Sequence, residues 1–306
     1  MGTRGTLTVA AVQMEPVLLD RAGCLERAVA AVGDAADRGA KLVLLPESAV
    51  PGYPDFVWRT TPWSDVDWYP RFHDAAVDPA SDLDDVREAA ATAGAWVALG
   101  ITERSTTGTL YNSVAHIDQH GELAAVHRKL IPTGAERLVW GNGQADDRGS
   151  LLTVVEHRGV RIGTLICWEN YMPLARAALY AEGIDLLLSP TFDNSDVWVP
   201  TMRHIAKEGR VFVMGCTPFM TGACVPDDVA GADSLYHGPD DPISVGNTCI
   251  VAPGGELLAG PLTGGAGMVV ATLDLDRIGA ARRQFDPAGH YARPEVLRLD
   301  VRRGGG

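Results

Sequence analysis

The sequence feature that most constrains the fold is a series of short apolar runs, each long enough to form one buried strand. These runs lie at residues 7–13, 41–45, 95–101, 113–117, 151–155, 161–166, 186–189, 211–216, 248–252 and 268–273. Helical patterns fill several gaps, at residues 21–38, 83–93, 173–182, 200–208 and 276–284. Other runs follow one another across hairpin turns such as Pro253-Gly254-Gly255. Helices and strands therefore do not alternate strictly, which favours two sheets covered by helices on their outer faces over one doubly wound sheet.

The same pattern predicts one domain over residues 1–285. The chain has 306 residues, of which 46% are hydrophobic, enough to bury a substantial core, and no repeat of about 20 to 50 residues is visible. Residues 52–82 are rich in Pro, Trp and Asp, show no clear period, and are interpreted as a long functional loop or cover. Residues 286–306 are predicted to form an extended C-terminal arm.

The charge balance excludes two classes of partner. Lys and Arg total 26 against 39 for Asp and Glu, which gives a net charge of -13. This charge opposes binding to phosphate backbones and to anionic lipid surfaces. We therefore expect no nucleic acid partner and no membrane partner.

The cysteines indicate a reducing compartment. There are five, an odd number, and no two are closer than eight residues, so neither a disulfide framework nor a metal-binding Cys-x-x-Cys pair is indicated. The N-terminus lacks the basic and apolar regions of a signal peptide, and no apolar run reaches the length of about 18 residues needed to span a bilayer. A cytoplasmic location is expected.

A candidate nucleophile lies at the end of one apolar run. In Arg161-Ile-Gly-Thr-Leu-Ile-Cys167-Trp-Glu-Asn170 the run stops abruptly at a cysteine, and Pro173 follows at a predicted helix start. Such a strand-turn-helix elbow projects a side chain above the sheet edge, where backbone N–H groups can stabilise an anion. A lone cysteine is more often a small buried apolar residue, so its neighbours must decide between the two interpretations.

Two further segments have the same form. In Lys41-Leu-Val-Leu-Leu-Pro-Glu47 the first charged residue after the apolar run is Glu47, which could take a proton from a thiol and pass it to a leaving amine. In the third segment Lys129 follows a strand and Glu136 comes seven residues later. Lys129 could supply a fixed positive charge facing a tetrahedral anion, and Glu136 could hold Lys129 or orient the attacking water. Each charged residue alone is more often a solvated surface group.

Taken together, these segments resemble the nitrilase superfamily, whose signature is a Glu-Lys-Cys triad at strand ends. The nitrilase branch is suggested by the motifs Pro-Glu47-x-x-x-Pro-Gly-Tyr-Pro, Arg-Lys129-Leu-x-Pro-Thr-x-x-Glu136-Arg-x-x-Trp-Gly-x-Gly, Cys167-Trp-Glu-Asn-Tyr-Met-Pro-Leu-Ala-Arg and Gly289-His-Tyr-Ala-Arg-Pro-Glu. The layout matches from about residue 7 to residue 271. One departure is Gln144, which stands where many members carry an acidic residue, and it leaves the catalytic set untouched.

The resemblance implies an α/β fold, a four-layer αββα sandwich, and hydrolysis of a small-molecule nitrile to the carboxylic acid and ammonia. It implies Cys167 as nucleophile, Glu47 as general base, Lys129 as electrostatic stabiliser and Glu136 as supporting glutamate, with no metal and no organic cofactor. The nearest alternative is an amidase or carbamoylase that uses the same residues on a carbonyl carbon. A non-catalytic scaffold with the same fold is a remote alternative, because every candidate catalytic position is intact. A papain-like hydrolase does not fit, because the cysteine lies mid-chain.

Aromatic residues in or near the motif loops predict an apolar substrate site. The residues expected to bind substrate are Tyr53, Trp168, Phe192 and Trp198. Residues 191–196 follow a predicted strand and are expected to form the wall that faces Cys167. His204, in a predicted helix, could suggest a Cys-His dyad, but we interpret it as structural because Glu47 and Lys129 already provide a base and a charge.

The resemblance also implies a homo-oligomer built from dimers. The subunits would stack through helices near residues 173–182 and 200–210, with the C-terminal arm crossing to the partner at the subunit interface.

Overall fold

The computed structural model describes residues 4–61, 63, 64, 67–144 and 151–301. Residues 1–3 of the expected domain, parts of the expected loop 52–82, and residues 302–306 of the expected arm lie outside this set. Among the described residues, no helix is both long enough and apolar enough to cross a membrane.

The strands form two separate sheets. In chain order they are β1 (Thr6–Gln13), β2 (Leu42–Leu44), β3 (Trp96–Arg104), β4 (Leu110–Ile117), β5 (Leu123–Arg128), β6 (Val154–His157), β7 (Val160–Thr164), β8 (Leu186–Pro190), β9 (Phe212–Cys216), β10 (Phe219–Thr221), β11 (Pro242–Val251), β12 (Leu257–Thr263) and β13 (Gly267–Asp274). The first sheet has the order β13-β1-β2-β3-β4-β5. The second has the order β10-β11-β9-β8-β7-β6, with β12 also paired to β11.

Parallel strands occupy the centre of each sheet. β1, β2 and β3 run parallel, as do β7, β8 and β9, while the flanking pairs are antiparallel. Neighbouring parallel strands need long crossover connections, and helices provide them here. The carboxyl ends of the central strands therefore lie along one edge of each sheet.

Helices cover the outer face of each sheet. In chain order they are α1 (Arg21–Asp37), α2 (Trp68–Asp74), α3 (Asp84–Ala93), α4 (Pro173–Ala181), α5 (Trp198–Gly209), α6 (Ala232–Leu235) and α7 (Asp276–Gln284). Helices α1 and α3 pack on the first sheet, where Ala28, Val32 and Val86 share one buried cluster with outward-facing strand residues. Helices α4 and α5 pack on the second sheet, through Leu179, Met202 and Ile205.

The main core lies between the two sheets. It contains Val9 and Leu44 of the first sheet together with Ile162, Leu188 and Met214 of the second. Alternate residues of each strand face this core and the helices in turn, because successive side chains of a strand point to opposite faces. The order of layers is helix, sheet, sheet, helix, which confirms the expected αββα sandwich.

The segment 52–82, interpreted from the sequence as a long functional loop or cover, contains two short helical elements in its described part. A 3-10 helix, Asp55–Trp58, and helix α2 lie within this segment, and Phe56, Trp68 and Phe72 are fully buried in a satellite cluster. Both elements are too short to show a period in the sequence, so tertiary packing rather than propensity stabilises them. Strand β10, with three residues, and strand β12, which is mostly exposed, were also missing from the apolar pattern.

The described part of the expected arm, residues 286–301, contains neither helix nor strand and is mostly exposed. The division into a domain at 1–285 and an interface arm stays a prediction.

Candidate active site

The expected elbow at Cys167 is confirmed. Strand β7 ends at Thr164, Cys167 adopts a left-handed backbone with φ of 51°, and a 3-10 helix, Cys167–Tyr171, leads into α4. Such a φ is uncommon for a residue other than glycine, so the surrounding structure must hold it. Asn170 does so, because its Nδ2 donates to the carbonyls of Leu165 and Cys167 at 2.9 Å each. Its Oδ1 accepts from Ser189 Oγ in the neighbouring strand.

Glu47 is buried just beyond the carboxyl end of β2. Its Oε1 accepts hydrogen bonds at 2.7 Å from Asn112 Nδ2 and Lys129 Nζ, and its Oε2 accepts one at 2.6 Å from the backbone N–H of Phe192. The turn that carries Glu47 crosses β3 closely at Gly100, where an added Cβ would stand 1.9 Å from the carbonyl oxygen of Pro46. Gly100 therefore permits the approach that places Glu47 at the site.

Lys129 and Glu136 complete the group. Lys129 follows β5, its side chain is 1% exposed, and its Nζ donates to Glu47 Oε1 and to Glu136 Oε2 at 2.7 Å each. Glu136 lies in the 3-10 helix Gly134–Leu138. Its Oε2 also accepts from the Thr133 backbone N–H, and its Oε1 accepts from the Tyr53 hydroxyl at 2.8 Å.

The four side chains converge at one place between the two sheets. One ligand atom from each of Glu47, Glu136 and Cys167 lies within 4.8 Å of the others. The Lys129 ammonium touches both carboxylates, so it supplies the positive charge that two buried carboxylates require.

Burial has the largest effect on the pKa values of Glu47, Lys129 and Cys167. It raises the pKa of Glu47, an effect that Lys129 opposes and Glu136 increases. Burial and the two carboxylates also raise the pKa of the Cys167 thiol, while Lys129 and a hydrogen bond with Thr191 oppose the rise. Burial alone would lower the pKa of Lys129, but Glu47, Cys167 and Glu136 raise it above its ordinary value. The site therefore combines a neutral thiol, a charged ammonium and a carboxylate with increased affinity for a proton.

The same cluster has the donors for a metal ion, two carboxylates and one sulfur. It is the one group of three or more such ligands found across residues 4–61, 63, 64, 67–144 and 151–301. Lys129 already donates to both carboxylates, and its positive charge opposes the binding of a metal ion there.

Comparison with known proteins places the chain in a family. The family model of the carbon-nitrogen hydrolases matches residues 8–283 of this chain. The chain belongs to the carbon-nitrogen hydrolase family. An aliphatic nitrilase of Sinorhizobium fredii is 39% identical over 95% of this chain and 94% of the relative. A bifunctional nitrilase/nitrile hydratase of Nicotiana tabacum is 36% identical over 97% of this chain and 86% of the relative.

Solved structures share the fold. Nit3 of Saccharomyces cerevisiae, described as a member of branch 10 of the nitrilase superfamily, superimposes with a TM-score of 0.72 and 20% identity. The match covers 94% of this chain and 97% of the yeast protein. The superfamily resemblance and the fold class inferred from the motifs are thus confirmed.

Two of the four aromatic residues expected to bind substrate adjoin Glu47 and Glu136 in this carbon-nitrogen hydrolase. Tyr53 and Phe192 stack with ring centroids 3.7 Å apart and an interplanar angle of 4°. The Tyr53 hydroxyl binds Glu136, and the Phe192 backbone binds Glu47. Thr191 and Phe192, the first two residues of the segment 191–196, contact Cys167 and Glu47, and the role of the whole segment as a wall stays a prediction.

The other two aromatic residues have different surroundings. Trp168 is half exposed, and its Nε1 donates to Asp193. Trp198 is fully buried among apolar residues between α5 and the outer face of the second sheet, a layer away from the Cys167 side chain. The structure therefore places Trp198 in this apolar cluster, and a role for it in substrate binding stays a prediction. In helical spacing, a large aromatic residue facing a sheet packs into the core.

His204 does not form a dyad with Cys167. Its side chain is largely exposed and its Nε2 bonds to Glu208, one turn along the same helix. The structural interpretation of this histidine is thereby supported.

Sequence reasoning did not find Asn112 in this carbon-nitrogen hydrolase, and it named Thr191 only as the first residue of the wall 191–196, without a contact to the thiol. Asn112 is a polar residue inside β4, and the pairing of β4 with β3 brings its side chain to Glu47. Thr191 follows β8 and bonds to Cys167. An isolated polar residue in or just after a buried strand is the only sequence feature that could have indicated either one.

Proposed function

We propose that this chain is a nitrilase that hydrolyses an organic nitrile to the carboxylic acid and ammonia. Cys167 is the nucleophile, Glu47 the general base, Lys129 the electrostatic stabiliser and Glu136 the supporting carboxylate. The observation that carries the proposal is the buried Lys129 ammonium, 2.7 Å from both carboxylates beside the Cys167 thiol. The names of the two curated relatives favour a nitrile over a carboxamide as the substrate.

The reaction begins with attack of sulfur on the nitrile carbon. Glu47 takes the thiol proton as the C–S bond forms, and that proton passes to the nitrile nitrogen to give a neutral thioimidate. The raised pKa of Glu47 suits this step, because a more basic carboxylate accepts the proton more readily. The ammonium of Lys129 stabilises the negative charge that develops on nitrogen.

Two waters complete the reaction. The first adds to the thioimidate carbon and gives a tetrahedral intermediate, from which the C–N bond breaks and ammonia leaves as the thioester forms. A second water, activated by Glu47, attacks the thioester, so that the C–S bond breaks and the acid and the thiol are released. Every proton transfer is assigned to these four residues and water, so we propose that no cofactor takes part.

The fate of the tetrahedral intermediate decides the product. If the thiolate leaves instead of ammonia, the product is an amide, which matches the second activity in the name of the tobacco relative. Glu136 and Lys129, which hold the charge near the leaving nitrogen, are the groups that bias this choice.

A substrate panel tests the proposed function. We expect the purified protein to release ammonia and acid from aliphatic, aryl or arylacetonitriles, with little ammonia from the matching amides. Ammonia, acid and amide are measured together, so that the products of both ammonia loss and thiolate loss from the tetrahedral intermediate are counted. Turnover of amides alone would move the chain to the amidase branch, and turnover of neither class would contradict the proposal.

We assign Tyr53 and Phe192 to the substrate wall. The buried Tyr53 ring stacks on the half-buried Phe192 ring, next to the two carboxylates that the Tyr53 hydroxyl and the Phe192 backbone N–H bind. A role for Trp168 in substrate binding stays a prediction.

We propose that the protein is a cytoplasmic homo-oligomer built from dimers. All five cysteines are free and buried, which fits a reducing compartment. Trp168, Leu174 and Val197, on or next to α4 and α5, are 52%, 67% and 60% exposed, and together they offer an apolar surface to a second subunit. The arm exposes Val296 and Leu297 and would add to that contact.

Replacing Leu174 by Asp should shift the protein toward a monomer. A charge in the centre of an apolar contact is desolvated without a partner, which weakens association. Multi-angle light scattering of the wild type and the variant measures the change. Leu257→Asp, at an exposed apolar position on β12, is the control and should leave the mass unchanged. A wild type that is monomeric at micromolar concentration would contradict the proposal.

A further inference from the structure

Glu169 is a buried carboxylate next to the nucleophile that the reaction itself does not use. It lies two residues after Cys167 in the 3-10 helix Cys167–Tyr171, and its side chain is fully buried. Its Oε1 accepts the backbone N–H of Leu130 at 2.8 Å. Its Oε2 accepts the backbone N–H of Ile166 at 2.6 Å and bonds to His127 Nε2 at 2.9 Å.

The two backbone N–H groups that Glu169 binds lie next to Lys129 and Cys167 in the chain. Leu130 directly follows Lys129 at the exit of β5, and Ile166 directly precedes Cys167 after β7. Strand β5 belongs to the first sheet and β7 to the second, so one carboxylate joins the two sheets beside the ammonium and the sulfur.

His127 completes the set of donors. The carboxylate already accepts two backbone N–H groups, so the His127 ring must carry its proton on Nε2 to bond with it. Within the described parts of the chain, the Nδ1 of His127 has no hydrogen-bond partner, and its ring is fully buried. Among the described residues, Glu169 is therefore the one hydrogen-bond partner of the His127 ring.

We infer that Glu169 is a positioning residue that sets the separation between the Lys129 ammonium and the Cys167 sulfur. The inference rests on the proposed function, which gives those two groups their roles. Hydrogen bonds to an ionised carboxylate are about twice as strong as neutral ones, so three of them fix the two backbone segments firmly. A displacement of about 1 Å between reacting groups can lower a rate by about 100-fold.

Glu169→Gln tests this role. The glutamine amide has nearly the same shape, but its NH₂ group must face one of the backbone N–H donors, so the link between β5 and β7 is broken. We expect kcat to fall by about 100-fold while KM changes by less than about threefold, because substrate contacts remain while the reacting groups move.

A second readout needs no nitrile. The rate at which iodoacetamide alkylates Cys167 is followed on its own peptide by mass spectrometry. Displacement of Lys129 weakens the effect by which its ammonium lowers the pKa of the Cys167 thiol, so that pKa rises. A rise of about one unit leaves about tenfold less thiolate at a fixed pH, and we expect alkylation to slow by about tenfold. This readout distinguishes failure of the inference from failure of the proposed function, because it does not depend on the substrate.

Asp185→Asn is the matched control. Asp185 is also a buried carboxylate, it accepts the backbone N–H of Arg161 at 3.2 Å near the start of β7, and it pairs with Arg4. Its loss should lower thermal stability without changing kcat or Cys167 alkylation. If Glu169→Gln does not fold, Glu169→Asp, which keeps the charge but is too short to reach both backbones, should show the same two losses.

Equal kcat and alkylation rates in a folded Glu169 variant and the wild type would overturn the inference. Losses of the same size in Asp185→Asn would also overturn it, because they would trace the effect to general destabilisation.

Discussion

Replacing Cys167 by Ala should abolish the hydrolysis of every nitrile that the wild type accepts. The expected loss in kcat is about 10⁴-fold or more, as when the nucleophile of other covalent hydrolases is removed. The alanine methyl cannot form the thioimidate, and the remaining groups have no atom to attack the nitrile carbon. Ammonia release measures the loss. In the wild type, acid quenching during turnover should trap a substrate adduct on the Cys167 peptide, and this adduct should be missing from the variant.

Cys249→Ala separates the loss of a nucleophile from the loss of any buried thiol. Cys249 is also free and fully buried, but it packs in β11 on the outer face of the second sheet. Its replacement should leave a small cavity and lower stability without changing kcat. If Cys167→Ala kept substantial ammonia release, another residue would have to be the nucleophile.

Three of the four proposed catalytic side chains were predictable because each of the three follows a buried strand. Glu47, Lys129 and Cys167 come just after β2, β5 and β7, where an apolar run gives way to a polar residue. Parallel strands place such positions at one sheet edge, so their meeting followed from strand order together with the family motifs. Glu136 was predictable from the motif alone, because its 3-10 helix carries no periodic pattern.

The supporting contacts were not predictable, because they depend on register and packing between elements. Asn112 reaches Glu47 through the pairing of β3 with β4, and Glu169 joins segments of two different sheets. The packing of Trp198 on the outer face of the second sheet was not predictable either, because proximity to a motif in sequence does not decide which face of a helix meets the sheet. Local sequence specifies strand ends, whereas these partners depend on the tertiary fold.

Replacing Lys129 by Met should lower the stability of the protein at neutral pH by about 3–5 kcal/mol and should abolish turnover. Methionine fills a similar volume but removes the charge that both buried carboxylates contact. Taking away one partner of a buried ion pair leaves uncompensated charge, which is strongly destabilising. Urea unfolding of wild type and variant at pH 7 measures the difference in the free energy of unfolding.

The stability deficit of Lys129→Met should shrink as the pH falls. In the wild type, burial and Glu136 raise the pKa of Glu47 while Lys129 and the hydrogen bond from Asn112 lower it, so removal of the ammonium raises this pKa further. A carboxyl group whose pKa is higher in the folded state than in the unfolded state binds its proton more tightly when folded. The variant should therefore recover stability as the pH falls through the raised pKa of Glu47 toward its ordinary value of 4.5, by up to about 1.4 kcal/mol per pH unit for each group.

The double variant Lys129→Met/Glu136→Gln identifies the origin of the deficit. It removes the Glu136 charge, one of the two that Lys129 contacts in the wild type, while keeping the shape of the side chain. Because less uncompensated charge remains, part of the lost stability should return at pH 7, although turnover should not. Thr133 and Tyr53 can still bond to the glutamine amide, since its oxygen accepts the backbone N–H and its NH₂ group donates to the hydroxyl oxygen. If Lys129→Met instead matched the wild type at every pH, the ammonium would not be the compensating charge. The two carboxylates would then have to share a proton in the wild type, and Glu47 could not act as the base at neutral pH.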